Sequence, residues 1–149
     1  MRRFRFLIML VLCFFISACV SYNIWNPPRV ERLDPMELFG ADGAVLRGRL
    51  FSSFCESNVF GNAATARNTA IINAAKRAYD LGFPYFTIIW DSNGLRTSTF
   101  DTVQSHSRNN YTITTHNYTF YAYKCIFIIL KSDEMEGWDN IYTVSRYVR

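Results

Sequence analysis

The chain is short of nearly every residue pattern that marks an enzyme. It has two histidines, His106 and His116, and seven glycines in 149 residues. No Gly-x-Ser-x-Gly elbow, no His-Glu-x-x-His pair and no phosphate-cradling glycine loop occurs. Cys-x-x-Cys is missing too, which removes the simplest dithiol redox site. Charge is sparse, at 19% of residues, and beyond Arg2, Arg3 and Arg5 no Lys/Arg cluster tracks a phosphate backbone, so nucleic acid is set aside as a partner. No internal repeat or low-complexity tract is present. The longest apolar run near the start, Phe6 to Ile16, is far below the roughly 20 residues a hydrocarbon core requires.

What is present at the start is a processing signal. Met1-Arg-Arg-Phe-Arg5 is basic, Phe6 to Ile16 is apolar, and Ser17-Ala18-Cys19 ends in small residues. That order is a secretory signal peptide. Ile16-Ser17-Ala18-Cys19 resembles the lipobox of bacterial lipoproteins. The resemblance implies cleavage before Cys19, a diacylglyceryl group on its thiol and acylation of the new amine. Two or three acyl chains hold a protein firmly on a bilayer, because each buried methylene contributes about 0.8 kcal/mol. Val20 stands where an inner-membrane lipoprotein often carries Asp, so the expected place is the periplasmic face of the outer membrane, or the cell membrane in a one-membrane organism. Cleavage leaves 131 residues with 13 basic and 12 acidic side chains, so the basic character belongs largely to the leader.

Cys55 and Cys125 are the cysteines left once Cys13 and Cys19 are accounted for. In an oxidising compartment they are expected to pair, closing a loop of 70 residues worth roughly 4 kcal/mol in the chain-entropy picture. Two separate buried thiols, or a redox-active pair, are the alternatives.

The periodicities predict an α+β domain over residues 41–149, with one long helix packed on a mainly antiparallel sheet of about five strands. Residues 1–18 are the signal peptide. Residues 19–40, interrupted by Pro27-Pro28 and Pro35, read as a lipidated extended tether that lifts the domain off the lipid. Ala44 to Phe54 alternates as a half-buried strand. Ala63 to Leu81 is the helix, with Asn62 as N-cap, Gly82 as terminator and an Ala66, Ala70, Ala74, Ala78 stripe. Tyr85 to Trp90 is a buried strand, Asp91-Ser-Asn-Gly94 a turn, Leu95 to Val103 a Thr-rich edge strand and Gln104 to Asn110 a loop. Tyr111 to Leu130 is strongly β-prone, and Ile141 to Val148 alternates as a last strand.

The lipobox, strand and Ala-rich helix ending in Ala78-Tyr-Asp-Leu-Gly-Phe-Pro-Tyr-Phe86 resemble a group of small proteobacterial lipoproteins that share a Gly-Tyr-x-x-Phe turn. The likeness covers about Gly43 to the C-terminus, with Phe83-Pro84 as a departure inside the turn, and it carries no activity to particular residues. A more distant likeness in architecture is to the disulfide-bearing stress-sensor lipoprotein of enteric outer membranes.

Chemistry is thin. His106 or His116 with Asp101 is conceivable as a metal group, and Asp91 with Asp101 as an acid–base pair, but neither has supporting spacing. Gly61-Asn62 before the helix reads as a plain cap more readily than as an anion site. Catalytic residues, metals and cofactors are therefore expected to be none. Tyr111, Tyr118, Tyr121 and Tyr123 crowd one segment and form a possible binding surface, if they do not fill the core. The reading is a lipid-anchored envelope lipoprotein with a structural or binding role, as a subunit of an envelope or secretion assembly. A redox or stress sensor is the alternative, and a cell-wall hydrolase the weaker one.

Overall fold

The computed structural model describes residues 22–107 and 110–149, without the side chain of Ser107. Cys19 and the expected signal peptide lie outside the described residues. Five strands, β1 (Arg29–Arg32), β2 (Leu50–Glu56), β3 (Tyr85–Ser107), β4 (Asn110–Leu130) and β5 (Ile141–Thr143), form one antiparallel sheet in the order β1-β2-β4-β3-β5. Two α-helices accompany it, α1 (Pro35–Phe39) and α2 (Ala63–Asp80), with 3-10 turns at Gly40–Leu46 and Val144–Arg146. The mixed α/β class and the antiparallel sheet match expectation; the helical part is two helices rather than one.

Helix α2 begins where Asn62 accepts the Thr65 amide at 2.9 Å. It ends in a doubly bonded turn: Gly82 N–H donates to Tyr79 and Phe83 N–H to Ala78, with Gly82 at φ 77°. That left-handed position suits glycine. Ala66, Ala70, Ala74, Ala75 and Ala78 are all buried against one sheet face. With only methyl groups between, backbone and sheet come close enough for Ser53 Oγ to donate to the Ala70 carbonyl at 2.8 Å. Beneath the helix Phe127 sits between Phe51 and Phe86, with ring centroids 5.6 and 5.8 Å away. A second, smaller core of Leu50, Ile128 and Leu130 lies on the opposite face under Leu33, Leu46 and Trp138.

Four stretches depart from the sequence reading. Residues expected to form a tether are folded: Tyr22 bridges Ser57, β1 pairs along β2, and α1 follows. β1 was illegible because an edge strand of four residues, mostly exposed, has no apolar face to show. The first expected strand begins only at Leu50, its start being a 3-10 turn. Asp91 to Gly94 does not turn; it pairs residue by residue with Cys125 to Ala122, so β3 runs unbroken for 23 residues, through most of the expected loop. Here the ladder offered by β4 outweighs the local turn preference of Asn-Gly. At the C-terminus only Ile141–Thr143 is strand.

The β3–β4 hairpin is the dominant feature. Its base is core, and its outer part, from Leu95 on β3 and up to Tyr121 on β4, extends beyond the pairing with β2 and β5. At about 3.3 Å per residue this two-stranded arm reaches roughly 40 Å. One extra residue, Ile89, stands as a bulge between the Ile88–Phe127 and Trp90–Ile126 pairs.

Candidate functional site

The arm and its root supply a concave apolar surface, a groove of about 750 Å³. Register explains its lining. After the Ile89 bulge, the even-numbered residues of β3 and β4 point away from α2, which places Arg96, Ser98, Phe100, Tyr118 and Phe120 on one face. Phe120 is buried as the floor, and Phe100 stacks on Tyr118 at 4.8 Å with rings 5° from parallel. His116 continues the ladder at 5.6 Å from Phe100.

The walls come from two turns. Asn58 accepts the Phe60 amide on Oδ1 and the Gly61 amide on its carbonyl, which holds Val59 and Phe60 outward; Phe60 is 92% exposed. Gly61 is required there, because a Cβ would lie 2.6 Å from that of Ser57. The other wall is Tyr22 to Asn26, which presents Ile24, 62% exposed, and Trp25, 81% exposed.

A buried carboxylate fastens that wall. Glu56 is only 1% exposed, on the same face of β2 as Leu50. Its Oε1 accepts from Arg96 at 3.0 Å and its Oε2 from Asn23 Nδ2 at 3.0 Å, while its carbonyl accepts the Asn23 amide at 2.8 Å. Asn23 Oδ1 in turn accepts the Trp25 amide at 3.1 Å. A charge so enclosed is tolerable only with a hydrogen-bonded counter-charge, and Arg96 provides it from the groove side. No buried side-chain nitrogen or oxygen lacks a partner among the described residues.

The expected site residues are scattered by the fold. Tyr118 lines the groove. Tyr111 and Tyr121 are exposed on the opposite face of the arm. Tyr123 offers no surface: it is fully buried under α2, its hydroxyl donating to Asp91 at 2.9 Å, and burial, reinforced by that carboxylate, pushes its phenol well above its usual range. Cys55 and Cys125 are free, buried thiols in the same core. They do not face each other: Cys55 pairs with Tyr123 and Cys125 with Ser53, a diagonal offset of two positions, where cross-strand neighbours stand about 7–8 Å apart. Burial raises both thiols to about 11, so neither is a nucleophile at neutral pH.

Asp101 accepts from Thr115 at 2.7 Å on the arm's α2-side face, while His116 lies on the groove face, so the two do not converge. His106 meets Thr112 at 3.1 Å. Asp91 and Asp101 are ten residues apart along one strand, roughly 33 Å, which rules out joint acid–base action. Asn62 spends its side chain on the helix cap. No cluster able to hold a metal ion occurs among the described residues. None of the described helices is long and apolar enough to cross a membrane.

Sequence reasoning missed the groove. Its walls lie some 35 residues apart along the chain and meet through Glu56 and the Tyr22–Ser57 bridge. The available signal was Phe60, a large aromatic set inside an Asn-x-x-Gly turn. No protein-family model, curated protein or solved structure matches the chain.

Proposed function

We propose that this protein is a lipid-anchored envelope lipoprotein that acts by binding, as an accessory subunit of an envelope assembly, and that the β3–β4 arm is its docking element. The observation that carries this reading is the arm itself. A two-stranded ribbon is marginally stable alone in water. Among the described residues no further strand pairs with either side of this one beyond Tyr121, and it carries few charges and no proline to discourage pairing. Seven threonines on it favour extended backbone without supplying a core. Val103, Tyr111 and Ile113 are exposed on its α2-side face. Such an edge takes an added strand from a partner, with main-chain bonds giving affinity and the apolar side chains giving register.

The scattering of the histidines and aspartates supports a non-catalytic role over a cell-wall hydrolase. The diagonal, deeply buried thiols give the redox-sensor alternative little to work with.

Photocrosslinking in intact cells tests the proposal. A benzophenone side chain at Tyr111 or Ile113 should give a discrete adduct with an envelope protein. The same probe at Lys76, on the solvent side of α2, should not. Adducts of equal yield at all three positions, or from Lys76 alone, would refute the arm as the docking element.

A further inference from the structure

The groove beside the N-terminal segment fits a second contact, with lipid. Tyr22 is bridged to Ser57, and Asn23 is held by Glu56, so the chain is fixed to the sheet from Tyr22 onward. Cys19 precedes Tyr22 by three residues, a span of at most about 11 Å even when fully extended. A lipid on Cys19 therefore cannot be far from the groove wall that starts at Tyr22. That wall and the facing turn present Ile24, Trp25, Val59 and Phe60, all exposed among the described residues. Tryptophan and phenylalanine are side chains of the bilayer interface, where an apolar ring sits at headgroup depth. Lys124 is exposed on the same sheet face beside Phe54, placed to meet anionic headgroups, while Arg29 on the other side of Phe54 is ion-paired with Glu31 at 3.2 Å.

We infer that the rim formed by Ile24, Trp25, Val59 and Phe60 docks into the bilayer interface, so that the domain lies against the membrane surface rather than standing off on a tether. The inference rests on lipidation of Cys19. The acyl chains supply attachment, and the rim fixes which face of the sheet meets the lipid, to the depth of about 5–10 Å typical of interfacial apolar faces. A rim this close to an acylated residue meets lipid before any soluble partner.

The test uses the full, lipidated chain reconstituted in phosphatidylethanolamine–phosphatidylglycerol vesicles containing brominated acyl chains. Tryptophan fluorescence should be quenched by the bromolipid, and Trp25→Phe should reduce that quenching by about half or more. Phe60→Ser changes a ring with no role in the core and should reduce the quenching of Trp25 about twofold. If the protein is vesicle-bound but Trp25 is quenched by aqueous iodide and not by bromolipid, the docking is refuted while the anchor stands. If the mass of the mature N-terminus shows no lipid on Cys19, the anchor fails and the inference with it. A self-associated protein whose Trp25 is shielded from both quenchers would assign the rim to a second copy instead.

Discussion

Raising the pH should dismantle this fold in a defined window. Cys55 and Cys125 are both fully buried, and burial moves their thiols from the ordinary value of 9.0 to about 11. Between those values the unfolded chain releases two protons that the folded chain keeps, so stability falls as pH rises. Each pH unit of that interval costs about 1.36 kcal/mol per thiol, so by pH 11 each removes roughly 2–3 kcal/mol. Together they take about 5 kcal/mol, a large part of the 5–15 kcal/mol available to a domain. The Tyr123 phenol, pushed up by burial and by Asp91, adds a loss of the same sign beginning near pH 10. Urea unfolding followed by circular dichroism under reductant, at half-unit steps from pH 8 to 11, measures the decline. In a Cys55→Ala, Cys125→Ala variant the decline should start about one unit later, near pH 10, and be shallower. Identical declines in the two proteins would refute the reasoning, because the thiols would then contribute nothing to it.

Three further outcomes are expected. Asn62→Ala removes the acceptor for the Thr65 amide and should cost about 1 kcal/mol, lowering Tm by a few degrees in a calorimetric scan. Gly43→Ala places a Cβ 2.5 Å from the Pro35 carbonyl oxygen; backbone cannot yield as a flexible side chain does, so a loss of about 2 kcal/mol or more is expected in the urea midpoint. Excising residues 97–119 and closing the strands between Arg96 and Phe120 with Asn-Gly should leave a folded domain that still unfolds cooperatively in urea, with the helix signal kept and the strand signal reduced, since the arm contributes no residue to either core beyond Phe120.

Where packing and local preference agreed, the sequence was legible. Helix α2 follows from its alanine stripe and its two caps, each satisfied within a few residues. The buried run Cys125 to Leu130 can be read from its lack of a polar face, and it pairs on both sides, with β2 and β3. Where long-range pairing decided, legibility failed. Asp91-Ser-Asn-Gly94 has the composition of a turn and stays extended because β4 supplies a partner for every residue. Glu56 has the look of a solvated strand end, yet its burial depends on Arg96, forty residues on, and on Asn23, thirty-three before it. No local pattern encodes such a meeting, and the groove that depends on it was invisible for the same reason.

The bulge at Ile89 has a consequence at the far end of the molecule. Side chains alternate strictly along a strand, so one surplus residue inverts the facing of everything that follows. Before Ile89, even-numbered Phe86 and Ile88 look toward α2; after it, even-numbered Arg96, Ser98 and Phe100 look away. Deleting Ile89 would leave Ile88 opposite Phe127 and Trp90 opposite Ile126 in unbroken alternation, so Arg96 would keep Glu56 and Phe100 would keep Tyr118. A one-residue loss farther out on β3 would instead exchange the two surfaces of everything beyond it, carrying Phe100 away from Tyr118. The root of the arm is thus the place where β3 can gain or lose one residue while a projection some 40 Å long keeps its two surfaces.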